Sequence, residues 1–216
     1  MPEQATVYKL TTRDRTTYCG FQWVVGEWVK TDGNGELCSE HWTHWYDSPE
    51  VASFMNPAHA HVNDPICWRG ETRGKRLDDH GLKCGVTEGR ILEQIPLPEI
   101  TSGQRAEIAI RCALAVCKEP TFTRWAQSWL DGSDRSASAA WAAWAAASAA
   151  WAAWAAASAA EAAAWAASAA EAAAWAASAA KAGEAAAWAA WAAEGTCRIN
   201  LHDVICGVIY GEKSHA

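Results

Sequence analysis

Apolar and polar residues alternate in short runs over the first hundred positions, and this pattern predicts a β-rich segment from residue 5 to about 100. A short helix is expected within it, with Ser48 as N-cap, Pro49 in the first helical position and an end at Asn56-Pro57. Turn signals that combine Gly with Asp, Asn or His occur at 32–35 and 78–81. The predicted strands cover residues 6–10, 21–25, 28–31, 37–46 and 91–97.

The spacing of apolar residues changes to a helical period after residue 100. Thr101 and Gln104 form a capping box ahead of an apolar run that ends near 117, so this helix is expected to be buried. Thr121 is the expected cap of a second helix, which presents Phe122, Trp125, Ala126 and Trp129 on one face. A final amphipathic helix is predicted after Asn200.

Between these helices the chain becomes almost pure alanine, with serine recurring every ten positions at 138, 148, 158, 168 and 178. Alanine has the highest helix propensity, so helix is the favoured structure. Ten residues turn a straight helix through about 1000°, which is about 80° short of three turns, so the serine and tryptophan stripes must drift around the axis. A single rod, a helical hairpin and a solenoid with ten residues per coil all remain open.

The predicted fold class is α+β, with three parts. Residues 1–132 form a head domain, β-rich over 5–100 and helical over 101–132. Residues 133–195 form the Ala/Trp decapeptide repeat. Residues 196–216 hold a C-terminal helix that is expected to dock on a core.

Composition and charge narrow the functional classes. The 216 residues include fifteen tryptophans and carry a net charge of −7 without any basic block, which excludes nucleic-acid binding through a basic surface. The N-terminus lacks the features of a signal peptide, so we expect a cytoplasmic protein whose eight cysteines are free thiols. Residues 137–160 are uncharged, but their alanines and central tryptophans disfavour a membrane span.

The repeat carries large indole rings on a thin alanine scaffold, and exposed apolar patches of that size are rarely left uncovered. We therefore expect a homo-oligomer or another protein as partner. The residues predicted to make this contact are Trp141, Trp144, Trp151, Trp154, Trp165, Trp175, Trp188 and Trp191.

Two sets of side chains in the head could carry ligand chemistry. Cysteine and histidine at short spacing are zinc-ligand types, but the spacing here matches no zinc signature, and hydrogen-bonded surface histidines are the competing interpretation. The metal candidates are Cys38, His41, His44, His59 and His61. A second set could line a pocket for a planar ligand or pack in the core: Trp23, Trp28, Trp42, Trp45 and Trp68. No cofactor is predicted.

Short motifs along nearly the whole chain resemble uncharacterised proteins of tailed bacteriophages and prophages. The resemblance implies only a phage or prophage setting, with the bacterial host cytoplasm as location. The predicted function is that of a non-enzymatic phage accessory protein that self-associates or binds a partner through its Ala/Trp repeat. The motifs lie at 7–10, 35–38, 42–49, 56–60, 79–85, 95–98, 119–120, 125–126 and 132–136.

The order of strands before the helix at Ser48 is also similar to the ADP-ribosyltransferase layout. That analogy implies a head domain that modifies or sequesters a nucleotide, with His44 and Glu93 as the nearest catalytic candidates. The first-strand Arg or His of those enzymes is replaced here by Tyr8-Lys9.

Overall fold

The computed structural model describes residues 5–17, 20–136 and 199–211, together with positions 138, 170–172, 174 and 189 of the repeat. The chain divides into two compact units, Met1–Glu99 and Ile100–Ala216. The first holds an antiparallel sheet with one helix, and the described part of the second is helical, so the predicted α+β class is confirmed. The choice between rod, hairpin and solenoid concerns residues outside the described ones.

The sheet of the first unit is built around one long hairpin. The strand order is β1-β4-β5-β2, all neighbours are antiparallel, and β3 pairs with β5. The turn of the hairpin, predicted from residues 78–81, is confirmed: the Asp79 backbone N–H donates to the Lys83 carbonyl at 2.9 Å. The strands are β1 (Ala5–Thr11), β2 (Val29–Lys30), β3 (Thr43–Trp45), β4 (Ile66–Asp78) and β5 (Cys84–Ile95).

The core of this unit is centred on the fully buried Trp45. Its indole lies on two glycines of the hairpin, where a Cβ atom at Gly70 or Gly89 would stand 2.5 Å from the ring. Only glycine lets the large ring approach the sheet this closely, because any other side chain would collide with it. The cluster packed together here comprises Val7, Trp23, Trp45, Cys84, Val86 and Ile91.

Helix α1 (Pro49–His59) begins as predicted but ends later. The Ser48 hydroxyl accepts a hydrogen bond from the Val51 N–H at 3.1 Å, which confirms the cap. The expected end at Asn56-Pro57 is wrong. Pro57 lies in the last turn, where it removes a single backbone hydrogen bond, and Asn56 exchanges two hydrogen bonds of 3.0 and 3.1 Å with the Val62 backbone. These contacts hold the helix end in place.

Three of the predicted strands are wrong or shortened, and one strand was not predicted. Residues 21–25 form a loop, 28–31 reduce to the two residues of β2, and 37–46 reduce to β3. The strand at 21–25 was predicted from an apolar run, but only Trp23 of that run is buried, whereas Phe21 and Val24 are both 46% exposed. Strand β4 escaped prediction because it is rich in charged residues and glycine and shows no apolar alternation.

The second unit contains α2 (Ser102–Val116), α3 (Pro120–Leu130) and α4 (Leu201–Tyr210) in its described part. The capping box of α2 and the Asn200 cap of α4 are confirmed, and α4 packs against α2. Thr121 does not cap α3. Pro120 occupies the first helical position, and the Glu119 carboxylate accepts from the Phe122 N–H at 2.5 Å. The predicted apolar face of α3 is buried.

The candidate membrane span at 137–160 lies outside the described residues apart from position 138, as do Cys19 and Cys197. None of the helices described is both long and apolar enough to cross a bilayer. The described cysteines have free thiols: Cys38, Cys67, Cys84, Cys112, Cys117 and Cys206.

Candidate functional site: an indole-walled cleft

An open cleft of about 580 Å³ lies at the end of the sheet where β4 begins and β5 ends. Its volume falls within the range of sites that hold small organic ligands, about 300–1,000 Å³. Two indoles supply its apolar wall, and loop residues supply most of its polar groups. The lining residues are Arg13, Asp14, Arg15, Gln22, Trp23, Val24, Ile66, Trp68 and Gln94.

The two indoles of the cleft are held by hydrogen bonds to threonines. The Trp68 ring N–H donates to the Thr11 hydroxyl at 2.9 Å, and the Trp23 ring N–H donates to the Thr17 hydroxyl at 3.0 Å. Trp23 also packs edge-on against Trp45, with ring centroids 5.3 Å apart. Because both rings are fixed before any ligand arrives, ordering them adds no entropic cost to binding. Trp23 is buried, so the partly exposed Trp68 offers the accessible ring surface.

The polar groups of the cleft differ in how they are engaged. Arg13 is ion-paired with the Asp64 carboxylate, and the Gln22 amide donates to the Asp14 carbonyl at 2.7 Å. Within the described residues the Arg15 side chain makes no hydrogen bond or ion pair, and the Arg15 backbone has a φ of +60°. Gln94 lies opposite Trp68 in the sheet. The cleft therefore offers an amide and an unengaged guanidinium beside an indole.

A buried lysine lies behind the indole wall. The Lys9 ammonium sits 4.9 Å from the Trp23 ring centroid and 5.4 Å from that of Trp45, and it donates to the His44 carbonyl at 2.6 Å. Burial lowers the pKa of Lys9 from 10.5 to about 8, and the nearby Cys84 opposes this shift. At neutral pH the amine is thus still mainly protonated, and it adds positive potential behind Trp23.

The catalytic candidates suggested by the ADP-ribosyltransferase analogy lie far apart. His44 pairs with Gly85 near the start of β5, whereas Glu93 lies near its end. At about 3.3 Å per residue, the distance along the strand is roughly 25 Å. Glu93 is exposed and ion-paired with Arg69 at 2.7 Å, which lowers the pKa of the carboxyl. The two residues therefore do not face one reaction centre.

The metal candidates have separate hydrogen-bond partners. The Cys38 sulfur accepts from the Lys83 ammonium at 3.0 Å. A ring nitrogen of His41 lies 2.8 Å from Asp32, and one of His44 lies 2.5 Å from the Leu37 carbonyl.

The two remaining candidates do not complete a ligand set. His59 stacks on Tyr46 with ring centroids 6.3 Å apart, and His61 is exposed with a φ of +49°. In the described part of the chain, no three of the five candidates bring ligand atoms within 4.8 Å of one another. Tetrahedral zinc needs such a convergence, so this arrangement provides no preformed zinc site.

The tryptophans singled out in the head have three different environments. Trp23 and Trp68 line the cleft, and Trp42 and Trp45 are buried in the core. Trp28 is in contact with the guanidinium groups of Arg73 and Arg90, whose carbons are 4.0 and 4.7 Å from the ring centroid. The eight repeat tryptophans predicted to make protein contacts lie outside the described residues.

The remaining cleft residues carried no signal in the sequence. Arg13, Arg15 and Gln22 lie in a loop, and they meet Gln94 only because the hairpin returns the end of β5 to that loop.

Comparisons of the chain with protein-family models, with curated proteins and with solved structures gave no match.

Proposed function

We propose that the first unit binds a planar, anionic small molecule of the nucleotide type in the cleft and does not transform it. The observation that carries the proposal is that one cleft holds the fixed, partly exposed indole of Trp68 and the guanidinium of Arg15, which no described residue engages. This pairing matches the two ends of a nucleotide, a flat aromatic base and an anionic phosphate.

Each part of the cleft has a distinct task in this proposal. A base stacks on Trp68, an interaction worth about 1–3 kcal/mol for bases on aromatic side chains. The Gln94 amide offers both a donor and an acceptor to the edge of the base. Arg15 receives the phosphate, and the buried ammonium of Lys9 favours negative charge in the same region. The separation of His44 from Glu93 supports binding without catalysis.

Calorimetric titration of the full chain with NAD, ATP and cyclic AMP tests the proposal. We expect binding of at least one of them, weakened several-fold or more by Trp68→Leu and by Arg15→Gln. The matched controls are Trp28→Leu, which removes a ring that contacts two arginines outside the cleft, and Lys75→Gln, which changes an exposed lysine. Absence of binding by all three ligands, or equal losses in the Trp28 and Trp68 variants, would refute the cleft as a nucleotide site.

We further propose that the repeat joins copies of the chain, or joins the chain to another protein, as a phage or prophage accessory protein in the host cytoplasm. The supporting observation is the sequence of residues 137–194, which places eight indoles on an alanine scaffold. Light scattering during size-exclusion chromatography should give a mass above 23.3 kDa for the intact chain. Replacing all eight repeat tryptophans with alanine should return it to a monomer, and a monomeric wild type would count against self-association.

A further inference from the structure

Three basic side chains lie near one another close to the start of β5, at the opposite end of that strand from the cleft. They are His44 on β3, His59 in the last turn of α1, and Lys83 just before β5, and together we call them the basic cluster. Lys83 precedes Cys84, which pairs with Trp45, and His44 pairs with Gly85, so the sheet register places Lys83 next to His44. His59 joins them through its stacking on Tyr46.

Across the described residues the basic cluster has no acidic partner, whereas seven other basic groups of the first unit have one. Across the described residues, the hydrogen bonds of the cluster go to a carbonyl oxygen and a sulfur: His44 with Leu37, and Lys83 with Cys38. The seven ion pairs are Arg13–Asp64, Lys30–Glu88, His41–Asp32, Arg69–Glu93, Arg73–Glu88, Arg76–Asp47 and Arg90–Glu71.

One buried polar atom of the cluster also lacks a partner. Nδ1 of His59 is inaccessible to solvent and makes no hydrogen bond to any described residue. An unsatisfied buried polar atom costs about 1–3 kcal/mol, so its persistence in a structure calls for an explanation such as an absent ligand. The same imidazole stands at the C-terminal end of α1, where the helix dipole favours a positive charge.

The charged side chains near His59 all lower its pKa. Its pKa is lowered to about 4, first by burial and then by the positive charges of Lys83 and His44. The pKa of His44 is lowered by burial and by Lys9 and Lys83, although its bond to the Leu37 carbonyl opposes this. Lys9 on β1 contributes its positive charge near His44. Tyr46 is a neutral neighbour, because burial raises the pKa of the Tyr46 hydroxyl. No carboxylate contributes to either histidine shift.

We propose that the basic cluster is a binding site for a small oxyanion, held by Lys83 and His59 with His44 beside them. An oxyanion supplies the missing negative charge and an acceptor for the unpaired ring nitrogen of His59. Lys83 is half-buried next to the exposed Cys38, so an anion reaches the Lys83 ammonium from solvent. Nδ1 of His59 is covered, and it becomes accessible to the anion only when the partly exposed imidazole ring shifts. The site is independent of the cleft, since the two lie at opposite ends of β5.

Binding of the anion is linked to protonation of the histidines. A bound anion favours imidazolium, so the pKa of His59 rises on binding and protons are taken up. Affinity is therefore greatest at low pH and falls as the pH rises, by up to about tenfold per pH unit for each proton taken up. Sulfate is a suitable probe, because it keeps its charge between pH 5 and 8.

Nuclear magnetic resonance of the histidine rings in the full chain tests the proposal. We expect sulfate to shift the His59 ring signals saturably and to raise the pKa of His59, while the exposed His61 and His80 change little. Chloride at matched ionic strength should have no such effect. Lys83→Gln should weaken sulfate binding about tenfold or more, and Lys75→Gln should leave it unchanged.

Two results would overturn the oxyanion site. One is equal movement of His59, His61 and His80 with sulfate, which would indicate a general salt effect. The other is equal sulfate affinity in the Lys83 and Lys75 variants. His59→Gln provides a second variant that keeps the size and polarity of the side chain, and it should lose the proton uptake that accompanies binding. Retention of that uptake would also refute the role of His59.

Discussion

Replacing Lys9 with methionine should stabilise the protein at neutral pH. The Lys9 amine is buried against the rings of Trp23 and Trp45, and in the described part of the chain no carboxylate pairs with it. Its one hydrogen-bond acceptor is the His44 carbonyl. Methionine has a similar length and is apolar, so it fills the same space without bringing a charge into the core.

The size of the effect follows from the pKa of Lys9, which burial lowers from 10.5 to about 8. The difference of about 2.5 in pKa corresponds to roughly 3 kcal/mol at about 1.4 kcal/mol per unit, the cost of keeping the amine charged in the fold. Between pH 8 and 10.5 the unfolded chain holds more protons than the folded one, so wild-type stability rises with pH there. Below pH 8 the full cost is present.

Urea unfolding of the wild type and Lys9→Met at pH 7, 8, 9 and 10 measures this cost. The variant should be more stable by up to about 3 kcal/mol at pH 7, and the advantage should shrink towards pH 10. Taking the difference between the two proteins cancels the other groups that titrate in this range. Lys75→Met, at an exposed position, should show no such trend. Parallel stability curves for the wild type and the Lys9 variant would refute the reasoning.

Three further predictions concern local structure. Gly89→Ala places a Cβ 2.5 Å from the Trp45 ring and should cost about 2 kcal/mol or more in urea unfolding. In the control Gly103→Ala, the added Cβ in α2 meets no atom within 4 Å, so this variant should be more stable than the wild type by up to about 1 kcal/mol. Equal changes in stability for the Gly89 and Gly103 variants would contradict the packing argument. Ser48→Ala removes the cap of α1 and should cost about 1 kcal/mol, whereas Ser48→Thr should retain most of the stability. Because burial lowers the pKa of His59 to about 4, the wild type should lose stability as the pH falls from 6.5 towards 4. The stability of His59→Gln should depend less on pH over this range. Identical dependence of stability on pH in the two proteins would refute the prediction.

Helix starts could be predicted because their signals are local. Ser48, Thr101 and Asn200 each cap a helix through a hydrogen bond that spans three residues, so a short stretch of sequence contains both partners. The α3 cap shows the limit of this reasoning. With Pro120 in the first helical position, the helix begins two residues earlier than predicted, and Glu119 is the N-cap instead of Thr121.

Strand β4 could not be predicted because its stability comes from partners far along the chain. Its charged side chains pair across the hairpin, as in Arg69–Glu93 and Arg73–Glu88. Its Gly70 leaves room for the Trp45 ring. Neither feature produces the apolar alternation by which a strand is recognised in sequence.

The cleft was only partly foreseeable. Tryptophans in the head indicated a surface for planar ligands. In the structure Trp42 and Trp45 are buried, and only partly exposed rings such as Trp68 can meet a ligand. The sequence does not show which rings are buried, because burial depends on the folded chain. The polar residues of the cleft come from positions about 80 residues apart, which no local pattern connects. Arg15 has no motif around it, so its place beside Trp68 follows only from the sheet.

The central hairpin has a consequence for how the first unit folds. Asp78 faces Cys84 across a short turn, whereas Thr11 reaches Ile66 only after more than fifty intervening residues. Closing the shorter loop loses less chain entropy, so we expect the hairpin to form first and β1 to join later. Until then the outer edge of β4 is open to other chains. Its three arginines, one lysine and one glutamate make that edge a poor template for aggregation until β1 pairs with it.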